Sequence, residues 1–126
     1  MRGTRRGFPV VLLMLGMLVG LACVSVAPVA AHHGWSGYDS NQVLNLDGVI
    51  REAGYEHPHG YVKLDVPGKV WLVVLAPPSR MERRGLPAAM LKVGEAATVV
   101  GYPHRSDPNE MRAERITING KTVELR

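Results

Sequence analysis

The stretch Tyr61-Val62-Lys63-Leu64-Asp65-Val66-Pro67-Gly68-Lys69-Val70-Trp71-Leu72-Val73-Val74-Leu75-Ala76 decides the fold. Val62, Leu64 and Val66 alternate with Lys63 and Asp65, the period of a strand with one buried face. Pro67-Gly68 is a turn signal, and Lys69 to Ala76 is a nearly continuous apolar run that reads as a second strand covered on both faces. Upstream, Val43 to Tyr55 alternates too. Leu44, Leu46 and Ile50 fall on one face, Asn45, Asp47 and Arg51 on the other, and Gly48 offers a bulge or bend. Downstream, Pro77-Pro78 ends the apolar run, and Ser79 is placed to cap a short helical turn through Met81, Glu82, Arg83 and Arg84 that Gly85 closes. Pro87 to Leu91 reads as a second turn. After Gly94 come a strand over Ala96 to Tyr102, a polar loop over Pro103 to Asn109, a strand over Met111 to Ile118, an Asn119-Gly120 hairpin turn and a last strand over Lys121 to Leu125. The expectation is a mainly β chain: a small OB-like barrel of five to six strands with a short helical segment between the third and fourth. A small open sandwich has the same alternation.

The amino end has a different character. Arg2, Arg5 and Arg6 precede an apolar run from Phe8 to Ala22, which is the anatomy of a secretory signal peptide. Cutting after Ala31 places small residues at both recognition positions and starts the mature chain at His32; cutting after Ala30 starts it at Ala31. The apolar stretch is also long enough for an uncleaved membrane anchor, and Leu21-Ala22-Cys23 resembles a lipobox with Gly20 where leucine is expected. The expected organisation is a signal peptide over 1–31, a His-rich arm over 32–41 and the barrel over 42–126, with the mature protein in the periplasm and membrane contact only through a retained presequence.

Removing the presequence changes the electrostatics. Of 15 Lys and Arg, three lie in residues 1–31, so 12 remain against 11 acidic residues and the net charge falls from +4 to +1. Cys23 is the one cysteine and leaves with the presequence, so no disulfide supports the fold in an oxidising compartment.

His32-His33-Gly34-Trp35-Ser36 with Tyr38-Asp39, Gly48-Val49, Pro58-His59, the Trp71 strand, Arg84-Gly85-Leu86, Val93-Gly94-Glu95, Gly101-Tyr102-Pro103, the run Met111 to Arg115 and the ending Glu124-Leu125-Arg126 together resemble the small exported bacterial proteins of domain-of-unknown-function family 6152. The resemblance spans the mature chain. It implies an OB-like barrel in the periplasm and carries no established activity. His32, His33 and His59 stand on the family's pattern, whereas His57 occupies a position where the pattern has asparagine.

All five histidines lie in the mature chain, in three places: His32 and His33, His57 and His59, and His104. On the barrel reading, His57-Pro58-His59 sits in the first hairpin connection and His104 in the last long loop. In OB folds these two loops flank one binding region. Pro58 favours an extended His57, which puts the two histidines roughly 6–7 Å apart on one side. A mature start at His32 adds an α-amino group beside an imidazole, a donor pair similar to the histidine brace of copper proteins. The expectation is a transition-metal site, copper or zinc, built from these five residues. Its bland counterpart is histidines that only hydrogen-bond within turns. Met81, Met90 and Met111 read as gap-filling residues.

A second expectation, of a different class, is a metal-free ligand, anion or protein-interaction module. Arg80, Arg83, Arg84, Arg105 and Arg112 suggest a basic face, although Glu82, Glu110 and Glu114 make an ordinary mixed-charge surface the alternative. Trp35, Tyr38 and Tyr55 are candidates to line a small pocket or to seal a barrel end. Nucleic acid is not expected, since binding it needs a strongly basic domain with exposed stacking aromatics. Ser36, Ser79 and Ser106 lack a nucleophile-elbow context, and no metalloprotease motif or phosphate-binding loop occurs, so the reading is a binding protein and not an enzyme. Glu56 beside His57 is the sole pairing that suggests a general base.

Overall fold

A computed structural model describes residues 34–126; the expected signal peptide, its two expected cleavage positions, His32 and His33 lie outside the described residues. The chain begins with a single 3-10 turn, Trp35–Gly37, and continues through β1 (Leu44–Gly54), β2 (Tyr61–Val66), β3 (Lys69–Val74), helix α1 (Pro78–Arg83), a 3-10 turn Ala88–Met90, β4 (Ala96–Pro103), β5 (Glu110–Ile118) and β6 (Lys121–Glu124). Neighbouring strands run in the order β3-β2-β1-β4-β5-β6, and β3 also pairs with β5. That last pairing is parallel and joins Leu72, Val73 and Val74 to Glu110, Met111 and Arg112. It closes a five-stranded OB-type barrel, from which β6 extends as a sixth strand along β5.

The barrel interior holds one core. Ile50, Val62, Leu64, Val73, Val99, Met111, Ile116 and Ile118 are buried there, and Met81, Leu86 and Leu91 from the helical segment cover its end. Tyr55 ties that segment down by donating from its hydroxyl to the Leu86 carbonyl at 2.7 Å. Asn119 and Gly120 both have positive φ, 52° and 75°, which is the type I′ hairpin expected of an Asn-Gly pair.

Three local features depart from the sequence reading. The irregularity in β1 falls between Ile50 and Glu52, at Arg51 and not at Gly48. Gly48 serves a close approach instead, since a Cβ there would lie 2.6 Å from the Asp65 carbonyl oxygen. Ser79 lies inside α1 and makes no capping bond; Pro77 precedes the helix and Gly85, with φ of +84°, follows its end. Trp71 is only half-buried, with the Lys69 ammonium 3.7 Å from its ring centre, so β3 is less covered than its apolar run suggests.

A bulge on β5 sets which residues the seam between β3 and β5 presents to the outside. Val100 of β4 faces Arg115, but Gly101 faces Ala113, so Glu114 is the extra residue. Before it, Met111 and Ala113 point into the core; beyond it, Ile116 and Ile118 do. The extra residue switches the inward parity of the strand. Glu110 and Arg112 are thereby turned to the outer face of the barrel.

Candidate ligand-binding site

The outer face over the β3–β5 seam is a row of registered neighbours. Tyr61 pairs with Val74, Val74 with Arg112, and Arg112 with Tyr102, so one line of side chains crosses β2, β3, β5 and β4. One residue pair along, Leu72 faces Glu110. The first hairpin connection covers one side of this row with Pro58, His59 and Gly60, and Tyr38 covers another. Together they line an open pocket of about 240 Å³. It opens beside the first hairpin connection, one of the two loops that flank the ligand region of OB folds.

The amino-terminal arm is part of this wall. Tyr38 forms a bridge with His104, Asp39 donates its backbone N–H to the Pro103 carbonyl, and Arg105 bonds to the carbonyls of Ser36 and Gly37. Trp35 packs edgewise on Tyr38 and Tyr102. The guanidinium carbons of Arg112 and Arg126 lie 4.3 and 4.7 Å from its ring centre, both within cation–π range.

Arg112 is the centre of the site. It is only 5% exposed, and its Nη2 donates to His59 Nε2 at 3.2 Å. A guanidinium has no acceptor, so His59 Nε2 must accept and the ring is neutral with its proton on Nδ1. Burial lowers the Arg112 pKa, and the charges of Arg80 and Arg126 act in the same direction. The guanidinium nevertheless stays charged at any physiological pH. With Nη2 engaged by His59 and Nε buried, what the guanidinium brings to the wall of this largely apolar pocket is a fixed positive charge and charge-assisted N–H donors, the chemistry that attracts a carboxylate or another oxyanion.

Tyr38 and Glu110 form the other polar pair. The Tyr38 hydroxyl donates to Glu110 Oε1 at 2.7 Å. Burial first, then that bond and the carboxylate's charge, hold the phenol well above its usual range. The folded state therefore keeps the Tyr38 proton after the unfolded chain, titrating near pH 10, has released it. The associated stability is complete below about pH 10 and is lost as pH rises through the raised folded value. Tyr38→Phe is expected to flatten the decline in urea midpoint above pH 10; an unchanged decline in that variant would remove Tyr38 as its source.

The candidate histidines occupy different surroundings. His57 is exposed and its bond to Pro58 is cis, whereas His59 is half-buried in the pocket wall. His104 lies across Tyr38, their rings perpendicular with centres 5.2 Å apart. Its Nδ1 accepts from the backbone N–H groups of Ser106 and Asp107 at 3.2 and 3.0 Å. That puts the His104 proton on Nε2, so its lone pair is engaged in shaping the β4–β5 loop. Among the described residues, no group of three or more His, Cys, Asp or Glu side chains is placed to hold a metal ion.

The arginines are engaged in different ways. Arg80 donates to the Leu125 carbonyl, and Arg84 to the carbonyls of Glu124 and Arg126, so both fasten the helical segment to the carboxyl end. Arg105 holds the amino-terminal arm and Arg83 is exposed. Of the five, Arg112 alone lines the pocket. Glu110, read from sequence as a surface neighbour of the arginines, lines it as well. The signal that would have found it is the parallel β3–β5 register, a contact between segments almost 40 residues apart.

The profile of a family of unknown function, DUF6152, matches residues 18–112. The chain belongs to this family. The matched span takes in the arm, both histidine-bearing loops and β5 as far as Arg112, and so every residue lining the pocket. No curated protein matches the chain in sequence. Among solved structures it is similar to part of a complex of TiaS with an isoleucine tRNA and ATP, at 20% identity and a TM-score of 0.48, over 71% of this chain. The chain spans about a fifth of that protein's length, 20%. Among the described residues, no helix is long and apolar enough to cross a membrane.

Proposed function

We propose that this family member is an exported periplasmic binding protein, without catalytic activity, whose barrel-side pocket receives an anionic group of a small ligand on Arg112. The observation that carries the reading is the buried Arg112 guanidinium, set against His59 and the Trp35 face at the wall of a 240 Å³ pocket. A concave, mostly apolar site with a few convergent polar groups is the ordinary form of a small-ligand site, and at about 240 Å³ this one lies just below the usual size range. The presequence supports export. Titration calorimetry of the processed protein with small carboxylates is expected to give saturable binding, weakened about tenfold or more in Arg112→Lys, which keeps the charge and loses the fork. Equal affinity in wild type and variant would sink the assignment to Arg112.

A second reading, a copper or zinc site, draws support from one placement. Tyr38, which lines the pocket together with His59, also packs on Trp35 and His104, and Arg105 bonds to Ser36, so the segment that directly follows His33 is anchored beside the pocket. Under this reading His32 and His33, with the new terminal amine, complete a donor set with His59. Titrating the processed protein and a His59→Ala variant with Cu(II) and Zn(II) tests it. One tight equivalent that the variant loses would favour the metal; its absence would leave the anion reading alone.

A further inference from the structure

Resting on the anion-binding reading, we infer that the ligand is a small zwitterion, an aliphatic α-amino acid, with its carboxylate on Arg112 and its ammonium on Glu110. Both residues line the pocket. They stand two apart on β5, so they share a face with Cα atoms about 7 Å apart. An arginine donor and a glutamate acceptor on one face of a strand are complementary to a carboxylate and an ammonium carried by one carbon.

The remaining walls set the ligand's third group. Leu72 and Val74 of β3 lie in register beside Glu110 and Arg112, with Tyr61 beyond Val74. The floor is thus polar along one strand and apolar along the next, which matches a molecule with charged groups on one side and a hydrocarbon branch on the other. Size is consistent. The pocket's 240 Å³ equals about eight waters at roughly 30 Å³ each, the scale of a small aliphatic amino acid.

Glu110 also supplies selectivity against a bare anion. Its Oε1 accepts from Tyr38, which fixes the carboxylate, and an ionised carboxylate has further acceptor positions for an ammonium. A carboxylic acid lacking that donor would bring its negative charge toward Glu110 with nothing to offset the repulsion. An amine lacking a carboxylate would meet the cation of Arg112 in the same way.

The test is calorimetry on the processed protein with L-valine and two compounds that each delete one charged group from it, isovalerate and isobutylamine. Wild type is expected to bind L-valine about tenfold or more tightly than either. In Glu110→Gln, whose amide oxygen still accepts from Tyr38, the advantage of L-valine over isovalerate should fall to about twofold or less. Equal binding of L-valine and isovalerate by wild type would overturn the zwitterion and leave the anion reading standing. A folded wild-type protein that binds neither would overturn both. The wild-type comparison decides the matter even if Glu110→Gln fails to fold.

Discussion

Gly101→Ala is expected to destabilise this protein by about 3 kcal/mol, the upper end of what overpacking usually costs and a large fraction of what a small domain has. A Cβ at Gly101 would lie 2.0 Å from the Arg112 carbonyl oxygen and 2.8 Å from both the Arg112 carbonyl carbon and the Ala113 Cα. All three obstacles are backbone atoms of β5, so no rotamer change relieves the clash. The strands must part, and they must part beside the bulge that turns Arg112 outward. The pairings of Tyr102 with Arg112 and of Pro103 with Met111 would be strained together with Gly101 itself. Ligand binding should therefore fall along with stability. Gly68→Ala is the control: its φ of +86° disfavours a side chain, but nothing lies within 4 Å of the new Cβ. Its cost should be about 1–2 kcal/mol, from backbone conformation alone. Urea midpoints of the two variants beside wild type measure the contrast. A Gly101→Ala midpoint as close to wild type as that of Gly68→Ala would mean that β4 and β5 have slack at their bulge.

How much of this was readable in the sequence depended on whether the controlling interaction was local. The hairpin of β2 and β3 was legible because Val62 and Leu64 alternate with Lys63 and Asp65 around a Pro-Gly turn, and Asn119-Gly120 announces its own geometry. The helical segment between β3 and β4 was legible for the same reason: Pro77-Pro78 and Gly85 bracket it. The bulges were not. Gly48 invites an irregularity, yet the break in β1 is at Arg51, and nothing in the run from Met111 to Ile118 marks Glu114 as an added residue. Without that bulge the parity of β5 is ambiguous, so the direction of Arg112 could not be read.

The site suffered from the same limit. His59 and Arg112 each stood out, but in separate roles, one in a metal site and one on a basic face. They meet because β3 and β5 pair in parallel and the first loop folds over that seam, both long-range events. Trp35 and Tyr38 were recognisable as aromatics that either line a pocket or seal a barrel end; Tyr38 lines the pocket, while Trp35 packs on Arg112 beside it. Tyr55 went elsewhere, to the helical segment, because its hydroxyl finds the Leu86 carbonyl. Of the five arginines grouped by sequence proximity and charge, Arg80, Arg84 and Arg105 are fasteners, which a charge pattern cannot distinguish from binders.

Arg112→Met is expected to separate binding from stability at this site. Removing the guanidinium should abolish carboxylate binding, a loss of about a hundredfold or more, because its charge and charge-assisted donors are the principal anion contact. Stability should change little, within about 1 kcal/mol in either direction. A buried guanidinium carries a desolvation cost that its contacts must offset, and replacing buried charged groups by apolar side chains of similar volume is often neutral or stabilising. Methionine fills much of the vacated space, and its thioether packs favourably against an aromatic ring such as Trp35. His59 loses a donor, but it is half-buried, so water can take that place. Thermal unfolding and titration of the same preparation give both quantities. Binding lost with stability kept would mark Arg112 as a residue held in place for its ligand and not for the fold. Both lost together would make the Trp35, Arg112 and His59 stack a strut that fastens the amino-terminal arm to the barrel, with the pocket a by-product of that packing.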